Sequence, residues 1–409
     1  MKKKLITLLG IVCLVLILVA CAAPAPAPAP APAAKPVKIG NLACFTGHSA
    51  DANPWMLSGA ELAIYEFGGE VAGRPIELIN EDSASDVTIA VDKARKMLEV
   101  DKVDVLIGPL PASAAAAVSA FLVESRTPHL GICENMLESI QLGDHVFAHD
   151  GTHRGTGYVV GLYAYDVLGL RTATVMHDDI IFAEEFVQGG MDAFVSRGGK
   201  IIQRQRTPMD TMDYGPYLTA MKKTDAIMYW FVPHNAFRFI NQYYEYGYDM
   251  PLLQTGCTTL GEQHLRDIGD NSLGMISAAS YDAGIDTPAV REFVDRWVEV
   301  NGHKAEEQGR FPAYNEGLTM YMSVRLVLEA IKATNGDTTP AVLRKALSNL
   351  KADSPWGPVS FNEDGVGIGN KYVLKVVKIG DRYTRTDAHS YEQIVRDEPA
   401  EVKGAAPKM

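Results

Sequence analysis

The chain has 409 residues, 47% of them hydrophobic and 22% charged, with a formal net charge of −12. That is ordinary globular composition, and the acidic balance excludes a nucleic-acid binder, because no Lys/Arg cluster is available to neutralise phosphates. The length beyond the N-terminal segment suits two domains of about 100–200 residues each.

Met1-Lys2-Lys3-Lys4 precedes an apolar run over residues 5–20 that ends Leu18-Val19-Ala20-Cys21. The run is short against the roughly 20 residues of a spanning helix. A basic start, an apolar stretch and small residues at the junction predict a secretory signal peptide over 1–20. Leu-x-x-Cys resembles the bacterial lipobox, which makes Cys21 the expected lipidation site; an ordinary signal peptide or an uncleaved anchor is the alternative. Residues 21–36 follow as a tether. Their alternating Ala and Pro favour polyproline II, which extends roughly 3.1 Å per residue and packs no core. The mature protein is therefore expected outside the cytoplasmic membrane, in the periplasm or at the cell surface, lipid-anchored.

From residue 37 short β-branched runs alternate with amphipathic segments. Strands are predicted at 37–44, 76–80, 103–108 and 129–133, and helices at 56–67, 86–99 and 112–124. The pattern then restarts, with helices at 158–167, 183–197, 217–221 and 236–246. The strands of this second series are 172–177, 200–206, 226–231 and 252–255. Such alternation predicts α/β architecture, with parallel sheets covered by helices on both faces, in two successive lobes. Helices at 288–301, 317–334 and 340–350 form a third stretch, in which Met320, Met322, Val324, Leu326 and Leu328 are expected as core. A hairpin is predicted over 359–379. A ligand is expected where the strands end at the cleft between lobes, and closure of the lobes is the expected motion.

Of five cysteines, Cys13 leaves with the signal and Cys21 takes lipid. Cys44, Cys133 and Cys257 are odd in number and far apart, so no disulfide framework is expected. None sits in a Cys-x-x-Cys pair, and no zinc site is expected. Gly365-x-Gly367-x-Gly369 lacks the strand and helix that a phosphate loop requires.

Several segments, in order, resemble type I periplasmic solute-binding proteins of the leucine/isoleucine/valine-binding family. They are Phe45-Thr46-Gly47, Gly73-Arg74-Pro75-Ile76-Glu77-Leu78, Glu81-Asp82, Asp101-Lys102-Val103, Ile107-Gly108-Pro109 and Trp356-Gly357-Pro358-Val359-Ser360-Phe361 before Gly365. The resemblance implies two Rossmann-like lobes joined by three crossovers near Gly151, Tyr281 and Pro358. Lobe one would hold 37–151 and 282–357, and lobe two 152–281 and 358–385, with 386–409 as a C-terminal tail. It also implies a monomer without cofactor or metal that hands a small-molecule solute to an ABC permease and its ATPases.

The resemblance places Ala112 and Ser113 at a helix start that favours an anion, with a plain N-cap at Ser113 as the alternative. Cys133 and Asn135 fall in the next ligand loop. His153 stands where amino-acid binders of the family favour Asp as the partner of the ligand ammonium, and Cys257 where another acidic group is common. An imidazole cannot replace a carboxylate as that counter-ion. Phe182 falls where a tyrosine often covers the ligand, and Trp55 and Trp230 add aromatic surface. Trp230 and Phe231 alternate on a strand, so only one can face the cleft. His153, Arg154 and Arg310 are the cations near the cleft, and Asp178 and Asp179 close it from lobe two. This set suits an aromatic or apolar carboxylate better than a zwitterion.

Two other classes compete with this reading. A ligand-sensing receptor subunit would need a membrane partner to signal. An enzyme lacks support: His149 and His153 have zinc-pair spacing without the Glu of His-Glu-x-x-His, no Gly-x-Ser-x-Gly elbow is present, and no catalytic residue is assigned.

Overall fold

The computed structural model describes residues 34–47, 49–132, 137–257, 260–308 and 315–395. The signal segment, Cys21, Cys133, Asn135 and Arg310 lie outside the described residues.

The first sheet has six strands: β1 (Val37–Ala43), β2 (Glu70–Val71), β3 (Arg74–Asp82), β4 (Val105–Ile107), β5 (His129–Leu130) and β6 (Val146–Phe147). Their order is β2-β3-β1-β4-β5-β6. All neighbours are parallel except β2 and β3. β1 shows why both faces need cover. Val37 and Ile39 enter one core, with helices Asn53–Glu66 and Asn315–Ala333, while Leu42 enters another, with Ala90, Ala94 and Val118. Met320, Met322, Val324, Leu326 and Leu328 are buried in the first of these cores, as their helical spacing predicts.

The second sheet has nine strands. Its parallel half contains β7 (Thr172–Asp178), β8 (Lys200–Thr207), β9 (Ala226–Trp230), β10 (Leu252–Gln254) and β11 (Ile276–Ala279). Antiparallel strands β12 (Lys351–Ala352), β13 (Val359–Phe361), β14 (Gly367–Ile379) and β15 (Arg382–Val395) extend it beyond β11. Period-two alternation divides β9 between two cores. Ala226, Met228 and Trp230 join one, and Ile227 and Tyr229 join the other along with Phe231 just past the strand end.

The structure departs from the sequence reading in several places. Residues from 386, expected as a tail, continue β15 through Val395 against β14. Helix His153–Asp166 begins five residues before the predicted start of 158, because the Thr152 hydroxyl caps it by accepting from Gly155 N at 3.0 Å. Strands β2, β6, β11 and β12 and helix Glu262–Ile268 are among the elements that the sequence did not predict.

Where the chain passes between the sheets, the linking segments are tied by buried polar contacts. Ala148 bridges Val366. Lys371 Nζ donates to Asp150 O at 2.9 Å and to Ser280 Oγ at 3.0 Å, and lies 3.6 Å from Asp150 Oδ1, with both charged side chains fully buried. His149 contacts Tyr281 Oη at 3.1 Å and Ser323 Oγ at 2.8 Å. Among the described residues no helix is long and apolar enough to cross a membrane.

Candidate functional site

Parallel strands β7, β9 and β10 point their carboxyl ends the same way, and the residues just beyond them converge. Trp230 ends β9. Helix Ile181–Ser196, after β7, carries Phe182 and Phe186 one turn apart, so both rings lie on one face. The rings of Phe182 and Trp230 meet edge to face at 5.1 Å, and Phe186 stacks on Trp230 at 5.1 Å. His153, first residue of its helix, lies 4.6 Å from the Phe186 ring and 6.2 Å from that of Phe182. Gly256 and Cys257 follow β10; a Cβ at Gly256 would lie 2.5 Å from Trp230 Nε1, so only glycine fits beneath the indole. Cys257 is half-buried against the same cluster.

Four residues singled out from the sequence, His153, Phe182, Trp230 and Cys257, thus stand together. Phe186 and Glu185 complete the wall and escaped the sequence reading. Phe186 was detectable from the i, i+4 spacing after Phe182. Of the alternating pair, Trp230 joins the wall and Phe231 packs behind the sheet with Tyr214 and Phe239.

The charges near this wall are committed to partners. Glu185 Oε2 lies 2.8 Å from His153 Nδ1. Glu184 pairs with Arg204 and Arg206, and Arg154 with Asp192. Asp178, expected to close the cleft, is turned inward: its carboxylate accepts from Val232 N and Asn235 Nδ2, each at 2.8 Å, at the start of helix Pro233–Glu245. Burial pushes its carboxyl up to about 6, against the lowering effect of those hydrogen bonds. Asp179 is exposed beside Arg206.

The first sheet contributes differently. Helix Ala112–Phe121 follows β4 with Pro111, not Ser113, at the N-cap position. Its first intrahelical bond joins Ala115 N to Pro111 O, so the N–H groups of residues 112–114 open the helix. Ala112 is half-buried and Ser113 exposed. Beneath this loop His129 is buried, its Nε2 donating to Gly108 O at 2.6 Å and its Nδ1 lying 2.9 Å from Ser119 Oγ. Burial holds His129 down at about 4. Trp55 sits in the first turn of helix Asn53–Glu66, 5% exposed, among the first core's side chains rather than with the aromatic wall. His149 belongs to the buried contacts between the sheets, and among the described residues no His/Cys/Asp/Glu group could hold a metal ion.

Two helix-covered sheets linked by repeated crossovers, with an aromatic wall at the strand ends of one, define a two-lobed solute-binding protein. The chain belongs to the periplasmic binding protein family, whose pattern matches residues 36–381. It is 24% identical over 371 residues to Leu/Ile/Val-binding protein homolog 6 of Brucella abortus, covering 88% of this chain and 93% of that one. An ABC transporter substrate-binding protein from Sphaerobacter thermophilus superposes with a TM-score of 0.79 at 26% identity, covering 89% of this chain and 99% of that one. A solute-binding protein of an ABC transporter from Rhodopseudomonas palustris BisB5, in complex with 3,4-dihydroxybenzoic acid, gives 0.77 at 23%, covering 88% and 98%. These relatives are binding proteins of transporters, not enzymes.

Proposed function

We propose that this protein is an extracytoplasmic lipoprotein that captures a small aromatic or apolar carboxylate between its lobes and delivers it to an ABC permease and its ATPases. Lobe one comprises residues 37–151 and 282–357, and lobe two 152–281 and the strands after 358. The carboxylate faces the N–H groups of residues 112–114, where unpaired donors and the helix dipole favour an anion. The ring lies against Phe182 and Trp230. Cys21 carries the lipid, and residues 21–36 hold the folded body off the membrane.

One observation carries this reading: the wall is aromatic, and its carboxylates are already engaged. Glu185 is held by His153, Glu184 by two arginines, and Asp178 by a helix start. An α-amino-acid ammonium would have to compete for one of them. The neighbour that holds 3,4-dihydroxybenzoic acid agrees with this choice, while the Leu/Ile/Val-binding relative supplies the competing one.

Calorimetric titration with benzoate, hydroxybenzoates and leucine separates the two. Saturable binding of an aromatic acid is expected; saturable binding of leucine alone overturns the reading. Cys21→Ser is expected to move the protein from the membrane to the soluble fraction.

A further inference from the structure

The three crossings between the sheets are divided in the same way. His149, Asp150, Ser280, Tyr281, Ser323 and Lys371 are all fully buried, and their polar atoms form two groups. In the first, His149 Nδ1 lies 3.1 Å from Tyr281 Oη, and Nε2 lies 2.8 Å from Ser323 Oγ on helix Asn315–Ala333. In the second, Lys371 Nζ on β14 donates to Asp150 O and Ser280 Oγ, and Ser280 Oγ donates to Asp150 O at 3.2 Å. Adjacent residues therefore join different groups: His149 the first and Asp150 the second, Ser280 the second and Tyr281 the first. The third crossing keeps the same order. Gly367 N donates to Ala148 O at 2.9 Å, and a Cβ at Gly367 would lie 2.2 Å from His149 O, so this residue is pressed against the first group before the strand reaches Lys371. Each crossing meets the groups in the direction it runs, outward from the first sheet at 149–150 and 367–371, and back at 280–281. The first group also reaches the strand ends of the first sheet. Ser323 Oγ lies 3.2 Å from Gly131 O, just past the carboxyl end of β5, and 3.0 Å from Thr319 O. Gly131 N in turn donates to Phe147 O at 3.2 Å, at the end of β6.

We propose that the lobes turn about the bonds between these two groups, at 149–150, 280–281 and 367–371, and that His149 and Ser323 are positioning residues that carry this turn to Gly131 at the cleft edge of lobe one. This rests on capture between the lobes and adds to it an axis and a linkage. A rotation that parted either group would leave desolvated polar atoms without partners. Hinges are a few element-terminal residues that absorb the change in φ and ψ. Here a buried network on either side confines that change to the bonds between them. Ser323 Oγ is within hydrogen-bond distance of both the hinge imidazole and the Gly131 carbonyl, so the position of one constrains the other.

Hydrogen exchange of the full chain, read by mass spectrometry with no solute added, tests this. Ser323→Ala deletes the oxygen shared by His149 and Gly131. It is expected to speed amide exchange over residues 129–132 by about tenfold, the scale of one lost hydrogen bond, while residues 369–373 keep wild-type rates. Ser280→Ala deletes the hydroxyl between Lys371 and Asp150 and is expected to do the reverse. Calorimetric titration with benzoate is the second arm. Ser323→Ala is expected to weaken benzoate binding by about fivefold, through a residue remote from the aromatic wall, in a protein whose thermal unfolding is measured alongside. Equal acceleration of both segments by both variants overturns the division into two groups. Unchanged exchange over 129–132 in Ser323→Ala, or wild-type benzoate affinity in that variant, overturns the linkage. The expected solute-free pattern in a chain that binds leucine but not benzoate overturns the aromatic-carboxylate reading and leaves the hinge assignment standing.

Discussion

At the carboxyl end of β4 the chain presents backbone: the N–H groups of residues 112–114, flanked by the small side chains of Ala112 and Ser113. At the carboxyl ends of β7, β9 and β10 it presents side chains instead, three aromatic rings and an imidazole in mutual contact. The first surface suits a charge and is indifferent to what carries it; the second suits an apolar shape. Backbone donors survive substitution, whereas rings do not.

The sharpest way to break the comparison is to disconnect the two surfaces. Lys371→Ala removes a fully buried cation 3.6 Å from the buried Asp150 carboxylate where the sheets are joined, and an unfolding free energy lower by roughly 3–5 kcal/mol is expected in denaturant titration. A loss below about 1 kcal/mol would mean that the pair is not a buried ion pair in the folded protein.

Acidity should act on the two surfaces in opposite senses. His129, under the anion-favouring loop, is held near 4, below its ordinary 6.5. Its stabilisation is complete above 6.5 and is lost as pH falls towards 4. Asp178, behind the aromatic wall, is raised from 3.8 to about 6. Its folded form binds a proton that the unfolded chain releases, so its contribution is complete below 3.8 and is lost as pH rises through 6. Each effect is of the order of 1–3 kcal/mol. Asp178→Asn should therefore gain on the wild type between pH 4 and pH 7, while His129→Gln should gain between pH 6.5 and pH 4. Parallel pH profiles for variant and wild type in chemical unfolding would refute either assignment.

Ligand affinity sharpens the contrast at smaller scale. Phe182→Ala removes a half-buried ring from the wall and is expected to weaken binding of an aromatic acid by about 1–2 kcal/mol in calorimetry, with little change in folding. Ser113→Ala deletes an exposed hydroxyl and no backbone donor, so a change within about 0.5 kcal/mol is expected. A larger effect would show that the side chain, rather than the helix start, holds the carboxylate.

The sequence displayed the parallel strands clearly, because their buried runs are short, largely apolar and regularly spaced between helices, as in Val37–Ala43 and Ala226–Trp230. It concealed β15, whose Arg382–Val395 is rich in charge and polar residues and lies at the sheet edge, where no hydrophobic alternation is required. The wall was partly readable: Trp230 and Phe182 were picked out, but alternation alone could not say whether Trp230 or Phe231 turned towards the cleft. That choice depends on which side of the sheet helix Ile181–Ser196 covers, a tertiary fact. Asp178 misled for the same reason. A carboxylate at a strand end looks like a ligand group until the neighbouring helix start at Val232 is seen to need an acceptor. At Ser113 the residue type favoured a cap, but Pro111 begins the helix two residues earlier.

Helices His153–Asp166 and Ile181–Ser196 approach so closely that a methyl group at Gly157 would overlap the Phe186 carbonyl, and one at Gly189 the Arg154 carbonyl. Such contact leaves neither helix room to slide or tilt independently. His153 and Phe186 are therefore fixed relative to each other before any guest arrives. In the proposed capture a solute meets rings that are already placed, so little of the entropy lost should come from ordering them.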